Sequence, residues 1–352
     1  MKKEFDVVLQ NNKVTNVLYA DGAKDLAAYL AEYGQNVIWV FDTNTSSLFS
    51  SLPHKKVVLS AGELYKTWES VDKILSTAMQ YGAARDTLFI AFGGGVICDI
   101  VAFAASIYMR GARVVLVPTT LLAMVDASLG GKSGIDYMGV KNMVGTFFPA
   151  EEVLIFTDAL KTLSDYEFRS GLGEVLKHAF LTQDDELYDF LFSNSKLILE
   201  RDVPTLLKMI DLSLRVKKQY IEKDPEEKLG IRSFLNLGHT FAHALESSLR
   251  FSSFSHGHAV AWGLSRAAEV GLTLGITNQK LVDKINKLLI IYGYDPDYRI
   301  GRGEWINFSK AMLSDKKKFD GTVKFVLLKS QGNLVLQEVE PKIVQKAVIA
   351  KL

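Results

Sequence analysis

Histidines are concentrated in one short part of the chain, and a glutamate-bearing segment lies upstream of them. Four of the six histidines fall between His239 and His258, in the segments RSFLNLGHTFAH and SHGH, and Glu174 lies in SGLGEVLK. Neutral imidazole and carboxylate are the usual ligands of a catalytic zinc ion, which keeps one coordination position open. Lys177 follows Glu174 at i,i+3, so both side chains can face the same cleft. These residue types predict a divalent metal centre.

Spacing alone leaves the choice of histidine ligands open. A predicted helix from about residue 234 would place Asn236, His239 and His243 on one stripe, at i,i+3 and i,i+4. His239 and His243 would then be the natural metal pair, as in HExxH helices, although the Thr-Phe-Ala between them supplies no base. The alternative pair is His239 with His256, which lies at the start of the next predicted helix.

A second candidate site is a glycine triplet that follows an apolar run. LFIAFGGGVICD has the pattern of a strand, then Gly93-Gly94-Gly95, then a helix that begins at about Val96. Glycine lets the backbone approach a ligand closely, and a helix start offers free N–H groups and a positive dipole end, which together bind a diphosphate. The triplet is not the GxGxxG fingerprint and also suits a tight strand–helix turn, so alone it does not decide between the two.

Polar residues follow two further apolar runs. Asp42-Thr43-Asn44 come directly after VIWVF, and Thr119-Thr120 come after VVLVP. Ligands bind at the carboxyl ends of strands in doubly wound sheets, although an Asx-capped turn would also explain the first group. Farther on, one aspartate, two lysines and an asparagine lie among glycines in a segment that carries few other charges. Exposure to solvent alone does not explain why these charged and polar residues are grouped here. We interpret them as binding residues: Asp126, Lys132, Lys141 and Asn142.

Composition narrows the class of protein. The chain has 352 residues, which favours two domains, and its 41 basic and 40 acidic side chains leave a formal charge of +1, which favours neither nucleic acid nor an anionic membrane surface as partner. The single Cys98 excludes an internal disulfide and a Cys-rich zinc module. The apolar run near the amino terminus is too short for a signal peptide, and no stretch approaches the roughly 20 apolar residues of a membrane span. We expect a cytoplasmic protein, in which His54 and His178 are structural.

The order of apolar runs predicts two domains of different class. Strand runs alternate with amphipathic helices over the first 160 residues, which predicts βαβ units and a mostly parallel, Rossmann-like sheet in a domain of residues 1–162. Helical spacing dominates residues 163–352, with a late hairpin across Ser330–Asn333. The predicted strands are Val37–Phe41, Lys56–Leu59, Leu88–Phe92 and Val114–Val117. The predicted helices are Lys24–Tyr33, Thr67–Tyr81, Ser164–Leu181, Asp184–Leu191, Pro204–Lys223, Phe234–Ser248, His258–Leu274 and Lys280–Tyr292.

Over most of its length the chain resembles the 3-dehydroquinate synthase family. The resemblance runs from Asp42 to about Lys317 and rests on AGELYKT, FGGGVICDIVAFAASIYMRG, VPTTLLAMVDASLGGKSGID, VKNMVGTF, LKTLSDYEFRSGLGEVLK, IRSFLNLGHTFAHALE, SHGHAVAWG and LSDKK. It implies a dehydroquinate synthase-like fold and a homodimeric enzyme that uses NAD and Zn²⁺ or Co²⁺. The family's substrate is a small phosphorylated sugar acid, 3-deoxy-D-arabino-heptulosonate 7-phosphate, which is converted into 3-dehydroquinate and phosphate.

The resemblance also implies roles for individual residues. It makes Glu174, His239 and His256 the metal ligands and His243 a substrate-side residue. The NAD contacts it implies are Asp42, Thr43, Asn44, Glu63, Lys66, Gly94, Gly95, Val96, Asp99, Thr119, Thr120, Lys132, Lys141 and Thr162. The catalytic and substrate contacts it implies are Arg110, Asp126, Lys132, Asn142, Lys177, Arg232, Asn236, His243, and Lys316 or Lys317.

Two residues depart from the family pattern. His258 stands where the family usually has Glu in HGEAV, next to a predicted ligand, and Cys98 replaces a glycine in GGGVIGD.

Three rival functions remain. The first is another sugar-phosphate cyclase. Lys132, Arg232 and Asn236 argue against it, because they match the binding residues for the carboxylate-bearing substrate. The second is an NAD- and metal-dependent alcohol or glycerol dehydrogenase, which needs no phosphate-binding lysines. The third is a non-catalytic descendant, which would not need the complete metal set.

Overall fold

The computed structural model describes residues 1–9, 13–47, 53–248, 254–316 and 323–350. Its internal contacts divide the chain into two compact units, unit 1 (Met1–Leu163) and unit 2 (Ser164–Leu352). No helix among the described residues is both long enough and apolar enough to cross a membrane.

Unit 1 is an α/β unit built on a seven-stranded sheet of order β1-β2-β9-β6-β5-β3-β4, with a separate β7–β8 hairpin. In the sheet, β1 pairs antiparallel with β2, and the pairings from β2 onward are parallel. The strands are β1 (Lys2–Val8), β2 (Val14–Tyr19), β3 (Val37–Asp42), β4 (Lys56–Leu59), β5 (Leu88–Gly93), β6 (Arg113–Pro118), β7 (Lys132–Tyr137), β8 (Val140–Phe147) and β9 (Glu152–Ile155). The helices are α1 (Gly22–Ala31), α2 (Trp68–Gln80) and α3 (Gly95–Ile107).

The predicted central strands of unit 1 are confirmed. Every residue of β5 is buried, as expected for a strand covered on both faces by helices. The chain passes from β3 to β4 on one side and then returns to β5 on the other side of β3. This reversal of strand order creates a crevice at the carboxyl ends of β3 and β5, where open α/β sheets bind their ligands. Asp42 ends β3 and Gly93 ends β5, so both lie at that crevice.

Unit 2 is mainly helical, and several of its helices pack around one buried helix. Helix α9 contacts α4, α8, α10, α12 and β10, and most of its residues are buried. The helices are α4 (Asp165–His178), α5 (Glu186–Ser193), α6 (Ser195–Leu199), α7 (Val203–Lys223), α8 (His239–Ser248), α9 (His256–Thr273), α10 (Gln279–Ile291), α11 (Trp305–Lys316) and α12 (Pro341–Val348). Strands β10 (Lys324–Ser330) and β11 (Asn333–Glu338) form the late hairpin.

Helices α4 and α9 pack backbone against backbone. A Cβ on Gly257 would lie 1.6 Å from the carbonyl oxygen of Ser170, and a Cβ on Gly173 would lie 2.0 Å from the carbonyl oxygen of Gly257. Only glycine therefore fits at both positions without moving the helices apart. Since Glu174 follows Gly173 and His256 precedes Gly257 in the chain, this contact fixes the spacing between a candidate carboxylate and a candidate imidazole.

The predicted helix from Phe234 to Ser248 is wrong at its start. Residues Arg232–Asn236 form a short 3-10 helix, and α8 begins only at His239. Gly238, between them, has φ +81°, and a Cβ there would lie 2.7 Å from the backbone nitrogen of Leu264 in α9. The close approach of α9 thus imposes a left-handed turn that ends the 3-10 helix. Asn236 therefore does not share one continuous helical stripe with His239 and His243.

Candidate functional site

Three of the predicted ligands of unit 2 converge. Glu174 lies on α4, while His239 and His256 are the first residues of α8 and α9. Nε2 of each histidine lies 3.2 Å from Oε1 of Glu174, and one potential ligand atom from each residue lies within 4.8 Å of the others. A tetrahedral zinc ion with bonds of about 2.0–2.2 Å holds neighbouring ligands roughly 3.4 Å apart. The three residues therefore fit a divalent ion.

The charge around Glu174 supports that fit. Its side chain is 0 % exposed, and neither carboxylate oxygen makes a hydrogen bond of regular geometry within the described part of the chain. Nζ of Lys177 lies 2.5 Å from Oε2. Burial alone would raise the pKa of Glu174, but Lys177 and His239 hold that pKa well below its usual range. The residue is therefore a buried carboxylate anion, which requires neighbouring positive charge.

The two imidazoles are supported differently at their second nitrogen. Nδ1 of His239 lies 3.3 Å from the carbonyl oxygen of Leu237, whereas Nδ1 of His256 lies 3.4 Å from Oε1 of the buried Glu246. Burial lowers the pKa of His239 to about 4. Burial also favours neutral His256, but the carboxylates of Glu174 and Glu246 outweigh it and raise its pKa to about 10. Such outer partners fix the orientation of metal-binding histidines.

Glu246 is a site residue that the sequence reasoning missed. It lies three residues after His243 on α8, in HTFAHALE, which is the only signal that could have suggested it. Together with His243 and His256 it forms a second set of residues able to hold an ion. The two sets use opposite sides of one ring, because Nε2 of His256 faces Glu174 and Nδ1 faces Glu246. The buried carboxylate of Glu174, on whose Oε1 the Nε2 atoms of both histidines converge, favours the first set.

The glycine turn of unit 1 is tightly packed against the end of β6. The backbone N–H of Thr119 donates to the carbonyl oxygen of Gly93 at 2.9 Å, and a Cβ on Gly94 would lie 3.1 Å from Cγ2 of Thr120. Helix α3 starts at Gly95, so the backbone N–H groups of its first turn, including that of Val96, follow directly. The structure thus brings together the predicted glycines and threonines at the start of one helix, a geometry that suits a diphosphate.

The strand end at Asp42 forms the Asx turn that the sequence offered as an alternative. Oδ1 of Asp42 accepts from the backbone N–H of Asn44 at 2.9 Å and of Thr45 at 2.8 Å. Oγ1 of Thr43 accepts from the backbone N–H of Ala61 at 3.2 Å. One carboxylate oxygen of Asp42 is therefore used to shape the loop at the sheet crevice.

Five predicted residues of unit 1 form a charged cluster. Nζ of Lys66 lies 2.6 Å from Oδ2 of Asp99 and also donates to Oδ1 of Asn142, while Lys141 pairs with Glu63 at 3.6 Å. Burial raises the pKa of Asp99 to about 6, although Lys66 opposes that rise. Burial favours neutral Lys66, but Asp99 outweighs it and the pKa of Lys66 is raised. This cluster joins the GELYK segment to α3 and to the β7–β8 hairpin.

The other predicted residues of unit 1 are dispersed over several elements. Arg110 has φ +66°, in the left-handed region, at the end of the turn that follows α3. Asp126 lies in a π-helical turn, Ala123–Ala127, and Lys132 is the first residue of β7. The hydroxyl of Thr162 donates to the carbonyl oxygen of Ala159 at 3.0 Å.

The remaining predicted residues of unit 2 follow α7 or end α11. The guanidinium of Arg232 is buried and donates to the carbonyl oxygen of Pro225. Asn236 lies in the 3-10 helix before α8. Lys316 is the last residue of α11, and Lys317 lies outside the described residues. His178, interpreted as structural, is buried with Nδ1 2.7 Å from Oγ of Ser213.

Comparisons with known proteins give one consistent result. A family model described as 3-dehydroquinate synthase N-terminal matches residues 56–170, and one described as 3-dehydroquinate synthase C-terminal matches residues 171–318. A 3-dehydroquinate synthase of Francisella tularensis subsp. tularensis is 37% identical over 325 residues, which cover 88% of this chain and 89% of that protein. A bifunctional 3-dehydroquinate synthase/phosphatase of Fusobacterium nucleatum is 35% identical over 97% of this chain and 51% of that protein.

Solved structures share the fold at lower identity. The 2-epi-5-epi-valiolone synthase ValA from Streptomyces hygroscopicus subsp. jinggangensis, with NAD⁺ and Zn²⁺ bound, has a TM-score of 0.83 at 24% identity over 95% of both chains. A 2-deoxy-scyllo-inosose synthase complexed with carbaglucose-6-phosphate, NAD⁺ and Co²⁺ has a TM-score of 0.84 at 22% identity over 98% of both chains. A probable glycerol dehydrogenase from Sinorhizobium meliloti has a TM-score of 0.66 at 14% identity over 94% of both chains.

Proposed function

Because this chain belongs to the 3-dehydroquinate synthase family, we propose that it converts 3-deoxy-D-arabino-heptulosonate 7-phosphate into 3-dehydroquinate and phosphate. The observation that carries this proposal is the 37% identity to a named 3-dehydroquinate synthase over 88% of the chain. The convergence of Glu174, His239 and His256 supports it independently, since three ligands of these types suit a catalytic zinc. The enzyme would be a carbon–oxygen lyase of aromatic amino acid biosynthesis.

The proposed metal is Zn²⁺ or Co²⁺, held by Glu174, His239 and His256. When bound, the ion supplies Lewis-acid polarisation of substrate oxygens, and NAD supplies a reversible hydride acceptor. The protein residues supply position and charge. The carboxylate of Glu174 stays ionised because Lys177 lies 2.5 Å away, so it can serve as an anionic ligand. Glu246 holds the ring of His256 with Nε2 directed at the ion position.

Most of the proposed NAD contacts lie at the carboxyl ends of β3, β5 and β6 or in the cluster around Lys66, whereas Lys132 begins β7 and Thr162 follows the short 3-10 helix Thr157–Lys161. The N–H groups that open α3 suit the diphosphate. Their geometry supports this proposal, as does the switch in strand order between β3 and β5. The proposed set is Asp42, Thr43, Asn44, Glu63, Lys66, Gly94, Gly95, Val96, Asp99, Thr119, Thr120, Lys132, Lys141 and Thr162.

The proposed substrate carries a carboxylate and a phosphate, so its contacts should be rich in cations. Arginine suits bidentate oxyanion binding and lysine suits point-charge contact. In unit 2, Lys177 and Arg232 are buried cations of the kind that such a substrate requires. The proposed substrate set is Arg110, Asp126, Lys132, Asn142, Lys177, Arg232, Asn236, His243, and Lys316 or Lys317. We also propose that the protein is a cytoplasmic homodimer. Light scattering on the purified protein tests whether it is a dimer.

One assay separates the proposed reaction from its rivals. Protein supplied with Zn²⁺ and NAD should release inorganic phosphate from the heptulosonate phosphate, while absorbance at the NADH band stays flat because NAD is regenerated. Omission of NAD or prior removal of the metal with a chelator should abolish phosphate release. Steady accumulation of NADH would favour a dehydrogenase. Turnover of a different sugar phosphate, with none of this substrate, would favour another cyclase.

A further inference from the structure

His258 lies in an aromatic slot on the helix that carries a candidate metal ligand. Its ring stacks on Tyr166, with centroids 5.6 Å apart and planes at 20°. The ring of Tyr294 also packs against it, edge-on, with centroids 5.3 Å apart and planes at 62°. Neither tyrosine belongs to α9, so the ring of His258 connects α9 to its neighbours. We call Tyr166, His258 and Tyr294 the histidine clasp.

Both tyrosines of the clasp are attached to α4. Tyr166 is the second residue of α4, and the hydroxyl of Tyr294 donates to the carbonyl oxygen of Arg169 in α4. The guanidinium of Arg169 in turn donates to the carbonyl oxygen of Tyr292 at 2.6 Å, which fastens the segment of Tyr294 to the same helix. The ring of His258 therefore contacts two tyrosines that are both attached to the helix that carries Glu174.

The clasp also closes the first turn of α9. Ser255 is the N-cap residue, and its Oγ accepts from the backbone N–H of His258 at 3.4 Å. The same Oγ lies 2.6 Å from Nδ1 of His258. A capping box also links the cap residue to the residue three positions later, but there a carboxylate or amide accepts from the backbone N–H of the cap residue, whereas Nδ1 of His258 contacts the side-chain hydroxyl of Ser255. His256 lies between these two residues in the chain.

From these contacts we propose that His258 is a positioning residue: it locks the first turn of α9 onto α4 and so holds His256 at ion-binding distance from Glu174. This rests on the proposed metal centre. The backbone contact of Gly257 with Ser170 and Gly173 sets how closely the two helices approach, and the backbone N–H of Gly257 also donates to Oγ of Ser170 at 3.2 Å. The clasp adds side-chain contacts to α4 on the same turn of α9, on the residue two positions after His256. Neither a catalytic role nor contact with substrate is assigned to His258.

Direct metal binding to the substrate-free, full-length protein tests the proposal. Co²⁺ is titrated into metal-free protein, with its visible absorption spectrum and a competing chelator as readouts. His258→Ala should weaken Co²⁺ binding about 10- to 100-fold, the usual effect of removing an outer support of a ligand, and should alter the Co²⁺ absorption bands. Tyr166→Leu should weaken binding in the same direction. The double variant should bind Co²⁺ no more weakly than His258→Ala, because the two single changes remove the same contact.

Controls separate positioning from loss of structure. His54→Ala removes a histidine that packs edge-on against Tyr81 in unit 1, and its Co²⁺ affinity should equal that of the wild type. His258→Phe keeps a ring in the slot but loses the Ser255 contact, so it should bind with intermediate affinity even if His258→Ala fails to fold. A purely structural role would lower the melting temperature of the metal-free protein and leave the Co²⁺ spectrum of the folded variants unchanged.

Three outcomes would overturn the proposal. Folded His258→Ala with a Co²⁺ affinity within about twofold of the wild type would show that the clasp does not position the ligand, and if that variant does not fold, the same result for Tyr166→Leu would show it. Fully additive losses for Tyr166→Leu and the His258 variant would show that they do not act through one contact. A wild type that binds no Co²⁺ would remove the metal centre together with the clasp. Bound Co²⁺ without phosphate release, in contrast, would contradict only the proposed reaction.

Discussion

Each unit of the molecule contains a buried lysine–carboxylate pair, and the two pairs differ in what surrounds the carboxylate. Nζ of Lys66 lies 2.6 Å from Asp99 in unit 1, and Nζ of Lys177 lies 2.5 Å from Glu174 in unit 2. The pKa of Asp99 is raised to about 6, whereas the pKa of Glu174 is held well below its usual range. Similar pairs at similar distances therefore have opposite electrostatic outcomes.

The neighbours of each carboxylate explain this difference. Burial dominates at Asp99, where the acidic groups Glu63 and Asp126 also disfavour the charged form. The cation of that pair is satisfied in addition by Asn142, which closes the cluster. At Glu174, two imidazoles join the lysine, and the carboxylate oxygens lack hydrogen bonds of regular geometry among the described residues. A buried ion pair thus indicates a metal ligand only where further donors converge on its carboxylate.

The largest expected effect separates these two carboxylates directly. Glu174→Gln should lower zinc affinity by more than about 100-fold, because even the loss of an outer partner costs about 10- to 100-fold and this change removes a ligand charge. Asp99→Asn, the matched change in the other pair, should retain wild-type zinc content. Atomic absorption after dialysis against dilute zinc measures both. Equal zinc in the two variants would refute the contrast between the pairs.

A second expectation sharpens the ligand assignment within unit 2. His239→Ala and His256→Ala should each lose bound zinc, since each removes a nitrogen 3.2 Å from Glu174. His243→Ala should keep the metal but lower kcat by about 100-fold or more, the usual cost of losing a catalytic side chain that contacts the substrate. Metal content and phosphate release are measured on the same preparations. Stoichiometric zinc in His256→Ala would contradict the assignment.

The smallest effect concerns the pH dependence of the Lys66–Asp99 pair. The folded protein holds the proton of Asp99 more tightly than the unfolded chain, since its pKa is about 6 rather than 3.8. The resulting stabilisation is present below about pH 4 and is lost as the pH rises through 6. The free energy of unfolding of metal-free wild type, relative to Asp99→Asn, should be about 2 kcal/mol lower at pH 7.5 than at pH 4.5. Urea unfolding at pH 4.5 and 7.5 measures the change, and a constant difference would contradict it.

The sequence predicted those elements whose pattern is local. Strands β3 to β6 are mostly continuous apolar runs, and Ser164, where a helix was predicted to begin, is the N-cap of α4 and accepts from the backbone N–H of Glu167 at 3.3 Å. The β7–β8 hairpin was missed because its glycines and polar residues have low strand propensity, and pairing between its two strands stabilises it instead. Helices α11 and α12 were also missed.

The residues of the candidate site were harder to predict than the local secondary structure, because their positions depend on tertiary packing. The residue types at Glu174, His239 and His256 predicted a metal centre, but spacing could not choose between His243 and His256, because the decisive distance depends on how α8 and α9 pack. The start of α8 was wrong because contact with α9 forces the left-handed turn at Gly238. Glu246 was missed because a glutamate on a helix has the same local pattern whether it orients a histidine or faces water.

The central claim is that one divalent ion is held by Glu174, His239 and His256. An anomalous difference map from crystals grown with Co²⁺, recorded at the cobalt edge, tests it most directly. We predict a single strong peak in unit 2, about 2.0–2.2 Å from a carboxylate oxygen of Glu174 and from Nε2 of both histidines. A peak among His243, Glu246 and Nδ1 of His256, or no peak near Glu174, would contradict it.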